Sequence, residues 1–137
     1  MLEAGKQGGR PVALGLTSFK PGWRGDCRIT WMYSPVHFYI QVDRDRRQFE
    51  EMMRRLQDAM VTRRQESWRM GQVVAGRWSD DCWYRGQVVN MKHGKLEIFF
   101  VDFGNTEKVE REDVGVLPSE FCSLDCQAVR VRLDGLD

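Results

Sequence analysis

A stripe of apolar residues at helical spacing lies in the first half of the chain. The stripe advances in steps of three and four residues, at Phe49, Met52, Met53, Leu56 and Met60. This period predicts one long helix over about 46–62. Asp45, with Gln48 three residues later, gives the predicted helix an N-cap signature. We expect the stripe to pack in the core, and the alternative is a methionine-rich peptide groove.

Segments rich in β-branched and alternating residues predict short strands on both sides of this helix. Before it, residues 27–33 and 38–42 predict a strand pair joined by a turn at Ser34-Pro35. After it, turn residues separate strands at about 72–78, 83–90, 96–101 and 106–109. This spacing is typical of a small antiparallel barrel. A helical turn at 118–121 and a last strand at 127–133 follow, so the barrel is predicted to be an insertion between elements that meet in space.

Aromatic side chains end the inward-facing series of three barrel strands. Alternation places Trp78, Tyr84 and Phe100 on one face of their strands, and antiparallel pairing brings them to the same mouth of the barrel. Phe103, in the following turn, adds another ring. A box of rings open at a surface suits a weakly hydrated cation, such as a methylated ammonium or a methylated guanidinium. The pattern alone leaves open the alternative that these rings are ordinary core residues.

Composition restricts the classes of function. The chain has 137 residues, 21 Lys+Arg and 20 Asp+Glu, for a net charge of +1. This is one domain's worth of chain, and its balanced charge argues against a protein that binds bulk nucleic acid. No apolar run approaches the roughly 20 residues that cross a bilayer, and the first residues lack an apolar signal core, so we expect neither membrane insertion nor secretion. Four cysteines without a paired spacing, together with two histidines, predict reduced thiols and no metal site.

Several separated motifs resemble those of a known family. The segments WYRGQV at 83–88 and FFVDFGN at 99–105 resemble the Tudor domain signature. The segment ITWMYSPVHFYIQ at 29–41 resembles the first strands of an extended Tudor domain. In that class a small antiparallel Tudor barrel is inserted into an OB-type module like staphylococcal nuclease. The resemblance covers roughly 27–136 and agrees with the predicted order of elements.

The predicted domain organisation follows from the resemblance. We expect a mainly β fold with one long helix, in which an extended Tudor domain occupies 21–137. The Tudor barrel spans about 70–112, and nuclease-like elements span about 25–64 and 118–137. Family domains continue with another strand and a helix, so the resemblance implies either a shorter nuclease-like half or a truncated one. Residues 1–20 are expected to be a flexible lead-in, because their glycines and Pro11 disfavour regular structure.

The resemblance also implies a function and a site. Family members are non-catalytic readers of methylated arginine, commonly symmetric dimethylarginine in Arg-Gly or Arg-Ala tails of PIWI-type proteins in cytoplasmic germ granules. Their cage of four aromatic rings and one asparagine corresponds here to Trp78, Tyr84, Phe100, Phe103 and Asn105. No cofactor is implied. The phenylalanines at 100 and 103, where tyrosine is more common, keep the ring faces but lack two hydroxyl groups, which bears on affinity more than on ligand class.

Other functions have weaker support. A nuclease needs clustered carboxylates, and the strands at 27–42 offer none before Asp43. An RNA-contacting or scaffolding OB-like domain is opposed by the near-zero net charge. A methyl-lysine reader differs from an arginine reader only in the dimensions of the cage.

Structural roles are also predicted for residues at or near the motifs. Trp83 has the opposite parity to Tyr84, so it is expected to pack outside the barrel against the nuclease-like module. Asp102 is expected to fix its turn by accepting backbone N–H groups, and Asn105 has the alternative role of a left-handed turn residue. Asp80 is expected to lie in a solvated turn.

Overall fold

The computed structural model describes the backbone of residues 2–7, 10–60 and 67–135, with side chains from residue 14 onward. In chain order its strands are β1 Leu2–Gln7, β2 Arg10–Leu14, β3 Cys27–Ser34, β4 His37–Val42, β5 Gln72–Arg77, β6 Trp83–Lys92, β7 Lys95–Phe100, β8 Thr106–Glu110, β9 Val114–Val116 and β10 Val129–Val131. One α-helix, α1 Arg46–Ala59, lies between β4 and β5. Short 3-10 turns lie at Asp43–Asp45, Arg111–Asp113 and Ser119–Phe121. Within these residues no helix is long and apolar enough to cross a membrane.

Five strands form the predicted barrel. Strands β5, β6, β7 and β8 pair antiparallel in sequence order, and β9 pairs with the other side of β5. Alternation within these strands sends one apolar set inward, as expected, and this interior cluster contains Val74, Val88, Leu96, Ile98 and Phe100. Gly86 faces this interior, where an added Cβ would lie 2.3 Å from Ile98 Cγ2. The close approach explains why a residue without a side chain stands in the middle of β6.

The second module is a three-stranded antiparallel sheet in the order β10-β4-β3. The outer side of the barrel packs against α1 in a separate core cluster, which includes Phe49, Leu56, Val73, Trp83 and Phe121. The apolar stripe of α1 is therefore core, as predicted, with Met53 and Met60 partly buried at its margin. One cluster therefore fills the interior of the barrel, and the other fills the interface between the outer side of the barrel and α1. The fold is mainly β with one long helix, as the sequence predicts.

The start and end of α1 differ in detail from the prediction. Asp45 is the N-cap residue, but its side chain makes no capping hydrogen bond. Its two carboxylate oxygens instead accept from the guanidinium of Arg44, at 3.2 and 3.0 Å. The helix ends at Ala59 because Met60 adopts an extended conformation with ψ of 108°. Residues 61 and 62 of the predicted helix lie outside the described residues.

Regular structure extends into residues 1–20, which the sequence predicts to be a flexible lead-in, within the described part of that segment. Strands β1 and β2 form an antiparallel hairpin, and β1 adds to β5 in parallel at Gln72 and Val73. Leu14 is completely buried in the helix-side cluster. The unpaired edge of β5 beyond β9 offers backbone groups for this addition, and burial of Leu14 supplies apolar contact. Local composition does not predict the pairing of β1 with β5 or the burial of Leu14, because both depend on distant parts of the chain.

Two further outcomes concern short elements. The helical turn predicted at 118–121 is present as the 3-10 turn Ser119–Phe121, and the last strand is β10. Strand β9, by contrast, was not predicted. Its three residues, with Gly115 at the centre, are too few to show an alternating pattern.

Candidate functional site

The structure brings all five predicted cage residues together at one mouth of the barrel. Trp78 directly follows β5, and Tyr84 lies near the start of β6. Phe100 ends β7, and Phe103 and Asn105 belong to the turn between β7 and β8. The five side chains line a single pocket with a volume of about 130 Å³.

The four rings form a chain of contacts around this pocket. Tyr84 lies edge-to-face with Phe103, with centroids 5.4 Å apart, and edge-to-face with Phe100 at 6.0 Å. Trp78 is tilted against Phe100 at 6.4 Å. Such tilted arrangements are those that aromatic quadrupoles favour. Phe100 is only 2% exposed whereas Trp78 is 39% exposed, so Phe100 forms the floor of the pocket and Trp78 forms an outer wall.

The turn after β7 is tight enough to hold Phe103 and Asn105 beside this floor. The N–H groups of Phe103 and Gly104 both donate to the Phe100 carbonyl, at 3.1 and 2.8 Å, and the Phe100 N–H donates to the Asn105 carbonyl at 2.9 Å. Gly104 has a φ of +101°, and an added Cβ would lie 2.2 Å from Cγ of Tyr39. Glycine is therefore required here both by conformation and by space.

Asn105 does not have the left-handed turn conformation that was its alternative role. Gly104 has the positive φ of this turn instead, and Asn105 directly precedes β8. The Asn105 side chain is buried, and its Nδ2–H donates to Oε1 of the half-buried Glu107 at 3.2 Å. This hydrogen bond uses the amide nitrogen of Asn105 and leaves the amide oxygen available to accept a hydrogen bond from a ligand.

Tyr84 is fixed by an acidic neighbour. Its hydroxyl donates to the Asp80 carboxylate, which also accepts the Cys82 N–H at 3.0 Å. Burial, followed by the hydrogen bond to Asp80, raises the pKa of Tyr84 above its ordinary value of 10.0, which favours the neutral phenol that donates to Asp80. Asp80 is exposed in its turn, as expected, but its carboxylate also orients a ring of the pocket.

Sequence analysis missed two residues that line the pocket, Thr30 and Trp31 of β3. The Thr30 hydroxyl donates to the Phe103 carbonyl at 2.6 Å, which ties the three-stranded sheet to the turn that carries the rings. Trp31 is 36% exposed. The pocket therefore takes its walls from both modules. The available signal for Trp31 was an indole within a predicted strand. Regular alternation along that strand did not predict that this side chain points toward the barrel.

A buried ion pair supports the pocket from behind and corrects the role expected of Asp102. Arg85 and Asp102 are fully buried and form a bidentate pair, with N–O distances of 2.9 and 2.7 Å. The Asp102 carboxylate accepts the N–H of Gln127 at 2.9 Å, a group 25 residues away and not one of its own turn. The Arg85 guanidinium also donates to the carbonyls of Phe121, Leu124 and Asp125. The pair therefore joins the barrel to the segment before β10.

Trp83 is confirmed to pack outside the barrel. It is 6% exposed and belongs to the cluster formed with α1. The side-chain amide of Gln57 accepts the Trp83 N–H and donates to the Trp83 carbonyl, both at 2.7 Å. This residue of α1 therefore pairs with the backbone of β6 as a neighbouring strand would.

An aromatic-mouthed barrel beside a three-stranded sheet and one helix is the architecture of an extended Tudor domain. The family model of the Tudor domain matches residues 21–135. The chain therefore belongs to the Tudor domain family.

Sequence relatives include Tudor domain-containing protein 7 from Bos taurus, which is 40% identical over 68 residues. The same protein from Homo sapiens is 37% identical over 68 residues. Each match covers 50% of this chain but only 6% of the relative's length. The chain thus spans a small part of the curated relatives that it matches.

Solved structures share the fold of this chain. The human TDRD1 extended Tudor domain, in complex with a symmetrically dimethylated peptide, superposes with a TM-score of 0.83 at 21% identity. That match covers 90% of this chain and 64% of the solved chain, and it shows the fold alone. Tudor in complex with symmetrically dimethylated Aubergine superposes with a TM-score of 0.71 at 26% identity, over 80% of this chain and 66% of the other.

Proposed function

We propose that this domain is a non-catalytic reader that binds symmetric dimethylarginine of a partner protein in the pocket at the barrel mouth. The observation that carries the proposal is the shared pocket of four aromatic rings and one buried amide. We name the group of Trp78, Tyr84, Phe100, Phe103 and Asn105 the cage. The methylated guanidinium would enter between the outer wall and the Phe100 floor.

The chemistry of the cage suits this cation. Methylation keeps the charge of arginine but removes donors and lowers hydration, so entry among rings costs less desolvation. Each favourable contact with a ring face contributes about 0.5–2 kcal/mol. The carboxylates of Asp80 and Glu107, each bonded to a cage residue, add negative charge beside the pocket. Cation binding is therefore supported by fixed charge as well as by the rings.

Asn105 favours methylated arginine over trimethyllysine. With its amide nitrogen bonded to Glu107, its amide oxygen is the acceptor for a ligand. Both terminal nitrogens of symmetric dimethylarginine retain an N–H, whereas trimethyllysine has none. The hydrogen bond to Asn105 is therefore available only to the guanidinium.

The partner proposed is an Arg-Gly or Arg-Ala tail of a PIWI-type protein. Support comes from the solved relatives, among them Tudor with dimethylated Aubergine and the mouse TDRD1 domain with a MILI peptide containing dimethylarginine. Residence in cytoplasmic germ granules would follow from such a partner and remains a prediction.

Calorimetric titration with three peptides of one sequence tests the proposal. The peptides carry unmodified arginine, symmetric dimethylarginine or trimethyllysine at one position. We expect micromolar binding of the dimethylarginine peptide, about 5–30-fold tighter than the unmodified one, with a shallow dependence on salt. Trimethyllysine should bind more weakly than dimethylarginine.

Matched variants locate the site in the same assay. Tyr84→Ala should remove binding of the dimethylarginine peptide, whereas Trp23→Ala, at a 40% exposed indole that does not line the pocket, should not. Equal affinity for modified and unmodified arginine would show that the rings are core and not a cage. Binding of single-stranded RNA with a steep salt dependence would favour the OB-like function instead.

A further inference from the structure

Strand β3 carries a β-bulge beside the pocket. Ile29 and Trp31 pair with the consecutive residues Ile40 and Tyr39 of β4, so Thr30 is the extra residue. In a regular strand, neighbouring side chains point to opposite faces. Thr30 and Trp31 nevertheless both line the pocket. A bulge bends the strand and redirects a side chain, which explains how both reach the same place.

The two residues of the bulge have different environments. The Thr30 hydroxyl donates to the Phe103 carbonyl at 2.6 Å and lies 3.4 Å from the Tyr39 carbonyl, so it anchors the bulge to the turn of the cage. Trp31 makes its ring contact with Tyr33 on its own strand, with centroids 6.4 Å apart. The cage rings instead contact one another. Trp31 is therefore a rim residue outside the ring chain.

We propose that Trp31 determines specificity by binding an apolar side chain immediately next to the methylarginine in the ligand peptide. This inference rests on the proposed function, because the cage fixes where the peptide enters. A 36% exposed indole held at a pocket rim offers apolar area that a flanking residue can bury. Its tie to the cage through Thr30 keeps that area at a constant place relative to the guanidinium. The contact with the flanking residue therefore comes from β3, and the contact with the guanidinium comes from the cage.

Two probes separate a rim contact from a cage contact. The first is symmetric dimethylarginine with an acetylated amino group and an amidated carboxyl group, which presents the guanidinium without neighbours. The second is a set of dimethylarginine peptides in which one flanking position at a time is Gly, Ala, Leu, Arg or Asp. Binding of the capped amino acid is followed by NMR titration and binding of the peptides by calorimetry.

In the wild-type protein, leucine at one flanking position should bind about fivefold more tightly than glycine. Trp31→Ala should reduce this preference to less than about twofold, and it should weaken binding of the capped amino acid by a smaller factor than binding of the leucine peptide. Trp23→Ala, which removes an indole of similar exposure away from the pocket, should retain the preference. Urea unfolding confirms that both variants are folded, as expected for residues outside the two core clusters.

Each other outcome overturns the inference. An equal loss for the capped amino acid and the peptides would make Trp31 a cage residue. A preference for arginine or aspartate over leucine would exclude an apolar contact, and unchanged binding by Trp31→Ala would exclude any contact. In these cases the proposed function stands. If the wild-type protein binds neither probe, the proposed function and this inference both fail.

Discussion

Phe100 and Trp78 are neighbours in the cage, yet the structure gives them different contributions to stability. Phe100 is part of the barrel interior, together with Ile98 and Val88. Trp78 follows the end of β5 and has much of its ring in solvent. A substitution at each position should therefore affect ligand binding and folding in different proportions.

Trp78→Ala should lower the affinity for a dimethylarginine peptide about threefold to thirtyfold, because one ring face is lost. Its free energy of unfolding should change by less than about 0.5 kcal/mol. Phe100→Ala should lose binding and also cost about 3–5 kcal/mol, because it leaves a cavity in the barrel. Calorimetry and urea unfolding on both variants measure the two effects. Wild-type affinity in Trp78→Ala would contradict the cage.

Cys126 provides a test of stability against pH. Its thiol is buried beside Asp102, and desolvation, with a smaller effect of that charge, raises its pKa from 9.0 to about 12. The folded state therefore holds this proton more tightly than the unfolded state. The resulting stability is complete below pH 9.0 and is lost as the pH rises toward about 12.

Between about pH 8 and about pH 10.5, this thiol should reduce the free energy of unfolding by about 2 kcal/mol. Urea unfolding at the two pH values measures the loss. Cys126→Ala will be less stable at both values because of its cavity, but its loss between them should be smaller. An identical loss in wild type and variant would rule out the thiol as the cause.

At the scale of elements, α1 is joined to the barrel by more than apolar contact. Gln57 bonds both backbone groups of Trp83 at the start of β6. The amide thereby satisfies the Trp83 backbone on the side of β6 away from β5, where the pairing with β7 begins only at Gly86. Loss of this side chain would leave a buried N–H and a buried carbonyl without their partner.

Gln57→Ala should therefore cost about 1–3 kcal/mol. Asp58→Ala, at the exposed next position of α1, should cost less than about 0.5 kcal/mol. Urea unfolding with tryptophan fluorescence measures both. Similar values for the two variants would show that the Trp83 backbone finds other partners.

The periodicity of the sequence predicts these elements well where packing is regular. The stripe from Phe49 to Met60 and the inward set of the barrel strands follow directly from side-chain geometry. Periodicity does not predict an element or a side-chain role that depends on contacts with a different part of the chain. The Asp45 carboxylate binds Arg44 and does not cap the helix, and β1 pairs with β5, which is distant in the chain, as well as with its neighbour β2. The bulge at Thr30 likewise hides Trp31 from any argument based on alternation.

At the scale of the whole molecule, Arg85 and Asp102 connect the barrel to the segment before β10. Both residues stand in the motifs that suggested the family, but sequence analysis gave Arg85 no role. A buried charge pair is stable only if distant partners satisfy it, here the carbonyls of Phe121, Leu124 and Asp125. Those partners cannot be derived from local pattern.

Asp102→Asn should cost about 3–5 kcal/mol, because it leaves the Arg85 charge buried without its counterion. Asp113→Asn, in the partly exposed pair with Arg77, should cost less than about 1 kcal/mol. Thermal unfolding followed by circular dichroism and by fluorescence measures the effect. Coincident transitions are expected in the wild-type protein, since the pair joins both modules. A mild effect of Asp102→Asn would show that water reaches the guanidinium.

Trp31 lies on an edge strand and belongs to neither core cluster. Substitution at this position would leave the rings that bind the modified arginine where they are. Domains with the same cage could then diverge in partner choice through a change at one surface position, without a cost in folding. Recognition of the methylated arginine and recognition of the peptide that carries it would then evolve separately.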